Sequence, residues 1–406
     1  MHLHQKVSHF SQSPAIVCSM NAQHRFVKMN RSIIGALATF GVAISSLAPL
    51  VGCNVPSVTN VTAEQVVAGQ AASGVVGVQV ATGSEPVAIG VTPNGRYLYT
   101  ANLRDGTSSG FSVQSTGMLA SLTGSPFQAG LHPIALCTTT NGRFLYVANS
   151  GGQTVSGFSI SDDGTLMPAG MPRHAGFSPI AVSADATGSF LYVTSAADNS
   201  LSEFRIDPSN GMLSEIPGSP FTVGSAPIAI VANPRGKYIH VLSALNSTVK
   251  TYLVDPTNGQ LSQLGQSQTG FQPSALAVSP NGKFIYTTNA GDNTISEFAL
   301  DSDKGTAQPL PGSPIGTPGR NPAGIAIDPQ GRFAYVANFN SNEIIGYSIA
   351  ADGTLQNLTN ATTLTTPRPK GIVVSPSGGV LYVTNVDTNV VTAYAIAKDG
   401  TLHPPF

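Results

Sequence analysis

Apolar and polar positions alternate along this chain in runs of about six residues bounded by Gly, Pro, Asn or Asp, the pattern of short strands joined by tight turns. Residues 133 to 149, PIALCTTTNGRFLYVAN, show how a cycle begins. Pro133 opens a first strand, IALCTT, Asn141-Gly142 supplies a hairpin turn, and FLYVAN forms a second strand. A polar loop leads to a third, TVSGFSI, which carries Phe158, and Asp163-Gly164 turns the chain into a fourth, TLMPAG. These strands are labelled A to D.

The cycle recurs at Pro86, Pro133, Pro179, Pro227, Pro273, Pro322 and Pro369, a period of about 47 residues. At a fixed distance after each proline stands a glycine: Gly95, Gly142, Gly188, Gly236, Gly282, Gly331 and Gly378. Further on comes an aromatic: Phe111, Phe158, Phe204, Tyr252, Phe298, Tyr347 and Tyr394. Four short antiparallel strands repeated seven times predict an all-β fold, a seven-bladed β-propeller of four-stranded antiparallel blades over residues 76–406. The aromatics of strands B and C are expected to fill the wedges between blades. His240 replaces the strand B tyrosine of blade four and reads as a core substitute with a satisfied ring nitrogen. Glu203 and Glu297 are expected to face solvent by alternation. The last repeat ends early at GTLHPPF, so residues 75–83 are expected to pair into its blade and close the ring.

Only 10% of residues are charged, 19 basic against 20 acidic, which argues against a nucleic-acid partner. Before the repeats, residues 29–53 read as a bacterial lipoprotein signal peptide. Arg31 precedes an apolar run that ends in a lipobox, Leu50-Val51-Gly52-Cys53. Lipidation of Cys53 would make the protein exported and lipid-anchored in the bacterial cell envelope; an uncleaved membrane helix is the competing reading. Residues 1–28 read as an overextended start and 54–75 as a flexible tether. Cys18 and Cys137 have no evident partner, no metal-ligand spacing occurs, and neither a metal nor a cofactor is expected. The propeller is expected to be a monomer.

Tyr382-Val383-Thr384-Asn385, with YVAN at Tyr146 and Tyr335 and YTTN at Tyr286, lies within a longer pattern running from the blade proline through Gly-Lys/Arg-Phe to the strand C aromatic. Residues 80 to 406 thereby resemble the lactonase family of 6-phosphogluconolactonase-like and carboxymuconate-cyclase-like propellers. The resemblance implies lactone hydrolysis at the mouth of the central channel, by an Arg-His pair just after a blade proline with a glutamate nearby. This chain departs from that pattern: Val87, Ile134, Ile180, Ile228, Ser274, Ala323 and Lys370 follow its prolines. Its Pro172-Arg173-His174 string falls on or beside an outer strand.

The D–A and B–C loops share one face, where binding residues gather on a rigid scaffold. The position before each blade proline varies there. Glu85 and His132 are the candidate catalytic bases, and Arg368 and Lys370 a cationic clamp, joined for ligand binding by Gln272, Asn321, Arg104 and Asp105. The plainer reading of the loop carboxylates is that they close Asx turns. The leading expectation is a site for a small anionic or carbohydrate ligand, or for an envelope protein partner. Lactone hydrolysis is the alternative and structural display the third.

Overall fold

A computed structural model of the protein describes residues 77–405; the signal, the lipidation position Cys53 and the tether lie outside the described residues. Seven antiparallel sheets follow one another along the chain, each built from one repeat, as a seven-bladed propeller. Blade two shows the pattern: A (Pro133–Thr138), B (Phe144–Asn149) and C (Thr154–Ile160) pair in order. Strand D, read from sequence as one run, is two segments, Leu166–Pro168 and Arg173–His174, both paired with strand C. Proline and glycine between them prevent a continuous ladder. Blades four and six instead have single long D strands, Leu261–Gln268 and Leu355–Leu364.

The ring closes by joining the chain ends. Val78–Ala81 pairs antiparallel with residues 390–393 of strand C in blade seven, while Leu402–His403 pairs with Ala395 and Ile396 of the same strand. The N-terminal strand thus takes the place of the second D segment and covers the edge of strand C at the seam.

Strand B is almost wholly buried in every blade, and its tyrosine links neighbours. Tyr99 donates to the Gly164 carbonyl of blade two at 2.6 Å, Tyr146 to Gly211 at 2.8 Å and Tyr192 to Gly259 at 2.7 Å. Tyr286 and Tyr335 repeat the link with Gly353 and Gly400, and Tyr382 closes the circle on Gly117. A neutral hydrogen bond of this kind contributes about 1 kcal/mol. The asparagine ending the family tetrapeptide is structural too. Asn102, Asn149 and Asn289 donate from their side-chain amides to hydroxyls of strand C, such as Ser109, Ser156 and Ser296 at 2.9 Å.

Two readings change here. Glu203 and Glu297 do not face solvent; they are 3% and 1% exposed. Each stands opposite the strand B tyrosine, where four other blades carry Gly or Ala and blade four carries Thr251, and reaches across to the next blade. Glu203 Oε1 accepts the Leu261 N–H at 3.0 Å, and Glu297 Oε1 that of Leu355 at 2.7 Å. Alternation identifies the side of the sheet, but in a propeller both sides of strand C face a neighbouring blade. His240 is in the core as expected, yet only half satisfied: Nδ1 meets Thr251 Oγ1 at 3.1 Å while Nε2 is buried without a partner. The imidazole cannot replace the tyrosine hydroxyl in its link to blade five.

Candidate functional site

Every residue immediately before a blade proline is held in the left-handed region. Glu85, His132, Ser178, Ala226, Gln272, Asn321 and Arg368 have φ between 49° and 59°. None is glycine, and each L side chain there costs about 1 kcal/mol or more. The conformation is fixed from both sides. The carbonyl accepts a backbone N–H from the same blade's B–C loop, as Leu103 to Glu85 at 2.9 Å and Val386 to Arg368 at 3.1 Å. In four blades the N–H is taken by an asparagine of the preceding blade: Asn389 for Glu85, Asn199 for Ala226, Asn293 for Asn321 and Asn342 for Arg368, at 2.7 to 3.0 Å. Gly106 and Gln153 occupy the equivalent positions ahead of His132 and Ser178 and make no such bond.

The structure brings together the candidates of blades seven and one. Glu85 forms an ion pair with Arg104 at 3.8 Å. Arg368 donates to Asp387 at 2.9 Å, and its guanidinium lies 4.5 Å from the centre of the Phe339 ring, so its plane is fixed. Lys370, the second residue of the innermost strand Pro369–Val374, feels the charge of both Arg368 and Glu85. Its ammonium is pushed down to about 8, first by burial and next by the Arg368 charge, with Glu85 opposing. The cluster therefore holds two carboxylates, Glu85 and Asp387, and three cations, with the backbone of Glu85 and Arg368 braced from the preceding blade.

No ion pair or side-chain hydrogen bond among the described residues joins His132 to it; the exposed imidazole packs beside Gly151 of its own B–C loop. Gln272 and Asn321 occupy the same left-handed position on blades five and six. Asp105 accepts the Ser84 N–H at 2.5 Å, and Asp198 and Asp292 brace the Phe177 and Phe271 N–H groups in the same way. The Pro172-Arg173-His174 string lies on the outer strand of blade two, with Arg173 bonded to the Leu213 carbonyl. The left-handed conformation escaped sequence reading, although the asparagines recurring in four B–C loops were its visible trace.

A cavity of about 600 Å³ opens on the opposite face, between blades three and four, lined by Phe190, Tyr238, Asp185 and Asp255 among others. Arg96 and Arg143 bridge to the next blade's C–D turn at the first two seams; blade three has Ser189 at that position, and Arg205 of its strand C makes the bridge instead, to the Thr257 carbonyl across the Phe190 ring. The Asp185 carboxylate is used by Thr187 and by the N–H groups of Ser189 and Phe190. Among the described residues no group of His, Cys, Asp or Glu is placed to hold a metal ion.

Comparison with solved structures shows the same fold in proteins of diverse function. A periplasmic gluconolactonase from Pseudomonas aeruginosa is 22% identical, with 76% of this chain and 90% of that one covered and a TM-score of 0.64. A protein carrying a provisional 6-phosphogluconolactonase assignment, from Bacteroides fragilis, is 21% identical over 69% of this chain and 85% of its own, with a TM-score of 0.63. Hydrazine synthase from Kuenenia stuttgartiensis is 18% identical, covering 78% and 97%, with a TM-score of 0.61. No match was found among curated proteins. The model of the family described as "Lactonase, 7-bladed beta-propeller" matches residues 80–317 and 306–405, nearly the whole described domain, and the chain belongs to that family.

Proposed function

We propose that this propeller hydrolyses a lactone at the mouth formed by blades seven and one. The observation that carries the reading is the Glu85, Arg104, Arg368 and Lys370 cluster on a lactonase-family ring. Family membership and the gluconolactonase-like neighbours favour hydrolysis over binding alone. Glu85 serves as the general base that takes a proton from water. The water oxygen adds to the lactone carbonyl carbon, and the charge developing on the carbonyl oxygen is met by Arg368 and Lys370. The ring C–O bond then breaks. Lys370, with its ammonium near 8, is still mainly protonated at neutral pH and can supply the proton to the departing alkoxide. The product is an open hydroxycarboxylate. We further propose that the domain works outside the cytoplasm, tethered through lipidated Cys53; Cys53→Ser should release it from the membrane fraction.

The test is hydrolysis of glucono-δ-lactone and of simple δ-lactones, followed by pH-stat and corrected for the spontaneous rate. Glu85→Gln should lower kcat by about 100-fold and Lys370→Met by a similar factor. His132→Ala should retain near-normal activity. A spontaneous-level rate on every lactone, or full activity in Glu85→Gln, would refute the assignment.

A further inference from the structure

The loop face divides into two unlike arcs. On blades six, seven and one it carries Arg320, Arg368, Lys370, Glu85 and Arg104. On blades two to five the loops present Leu131, Phe177, Leu245 and Phe271, which are 58%, 56%, 45% and 61% exposed. Leu131, Phe177 and Phe271 each stand two residues ahead of a blade proline. Their Cα atoms therefore lie within about 7.6 Å of the start of an innermost strand. Leu245 belongs to the B–C loop of blade four, next to that blade's own D–A loop through the Ser225 carbonyl.

The backbone that carries these rings is held by a brace of the repeat, the one that also holds Ser84 and Arg320. Among the described residues Phe177 and Phe271 are the exposed phenylalanines; the others are buried or half-buried. Asp198 holds the Phe177 N–H at 3.0 Å and Asp292 that of Phe271 at 2.8 Å, and the His174 ring stands edge-on to Phe177 at 6.2 Å. Other exposed apolar side chains, such as Met167, Leu264 and Leu364, lie on outer strands away from the mouth. The apolar arc thus borders the mouth and continues directly into the charged arc.

We propose that the lactone accepted here carries an apolar chain. Its cyclic ester sits at Glu85, Arg368 and Lys370, and its alkyl or aryl tail lies across Leu131, Phe177, Leu245 and Phe271. This deepens the hydrolase reading and rests on it. A lactone hydroxylated around its ring would leave the four apolar side chains wet and gain nothing from them, whereas a hydrocarbon tail removes their surface and its own from water.

The experiment compares δ-valerolactone, δ-dodecalactone and glucono-δ-lactone as substrates of wild type, Phe177→Ser, Phe271→Ser and the double variant. Both rings are exposed, so the variants should melt with wild type. δ-Dodecalactone should be the best substrate, and the double variant should lose about tenfold in kcat/KM on it through KM, with δ-valerolactone little affected. Turnover of δ-valerolactone or glucono-δ-lactone as good as that of the long-chain lactone overturns the apolar-tail assignment while leaving the hydrolase standing. So does an equal loss on long and short substrates in the double variant. Failure to hydrolyse any of the three overturns both.

Discussion

Replacing Glu203 with glutamine should make the protein more stable at pH 8 and have a much smaller effect at pH 5. Glu203 is 3% exposed, and among the described residues no cation pairs with its carboxyl and a single backbone N–H, from Leu261, donates to it. Burial pushes it from the ordinary 4.5 up to about 7, with the Leu261 bond opposing. At pH below 4.5 the group is protonated in the folded and the unfolded chain, and nothing is lost. As pH rises through 4.5 the unfolded chain releases its proton while the folded one keeps it to about 7, so stability falls across that window and stays lower above it. The two values correspond to about 3 kcal/mol as an upper bound, because local relaxation admits some water. Glutamine keeps an acceptor for Leu261 and cannot ionise. At about 2 °C per kcal/mol for a domain of this size, Glu203→Gln should melt about 3–6 °C above wild type at pH 8. Calorimetric or circular-dichroism melts at pH 5 and pH 8 decide the matter. A variant less stable than wild type at pH 8, or an equal difference at the two pH values, would show that the buried carboxylate is not the burden described.

Deleting Val78–Ala81 removes the strand paired with residues 390–393 and should lower the melting temperature by about 5–10 °C, read by the same melts; an unchanged midpoint would mean that the seam contributes nothing. His240→Tyr combined with Thr251→Ala, the pairing that blade seven has in Tyr382 and Ala393, should restore a hydroxyl link to blade five and raise the midpoint by about 2 °C. Lactone hydrolysis corrected for its spontaneous component should decline above about pH 8 as Lys370 loses its proton, and Lys370→Arg should move that limb upward; an identical profile in the variant would remove Lys370 from the reaction.

The residues that were legible in the sequence are those repeated for a sevenfold reason. A glycine at every A–B turn, a proline at the head of every strand A and an aromatic on every strand C specify the ring, because each blade must present the same wedge to its neighbour. What alternation could not reveal was which surface counts as outside. Glu203 and Glu297 read as solvent-facing because a lone sheet has a wet side, yet in a ring of sheets that side belongs to the next blade. The candidate site was legible only in part for a similar reason. Glu85, Arg368 and Lys370 could be placed together by ring closure, but so could His132, which occupies the same phase of the repeat. The distinction lies in which charges meet: Glu85 pairs with Arg104, Arg368 with Asp387, and Lys370 is coupled to both Glu85 and Arg368, whereas His132 forms no ion pair among the described residues. Seven non-glycine residues hold a conformation that favours glycine, kept there by backbone hydrogen bonds from the B–C loops. At two of the four positions where that conformation is braced from the preceding blade, an acid and a cation act on Lys370; this combination of enforced backbone and reactive side chain marks the candidate site.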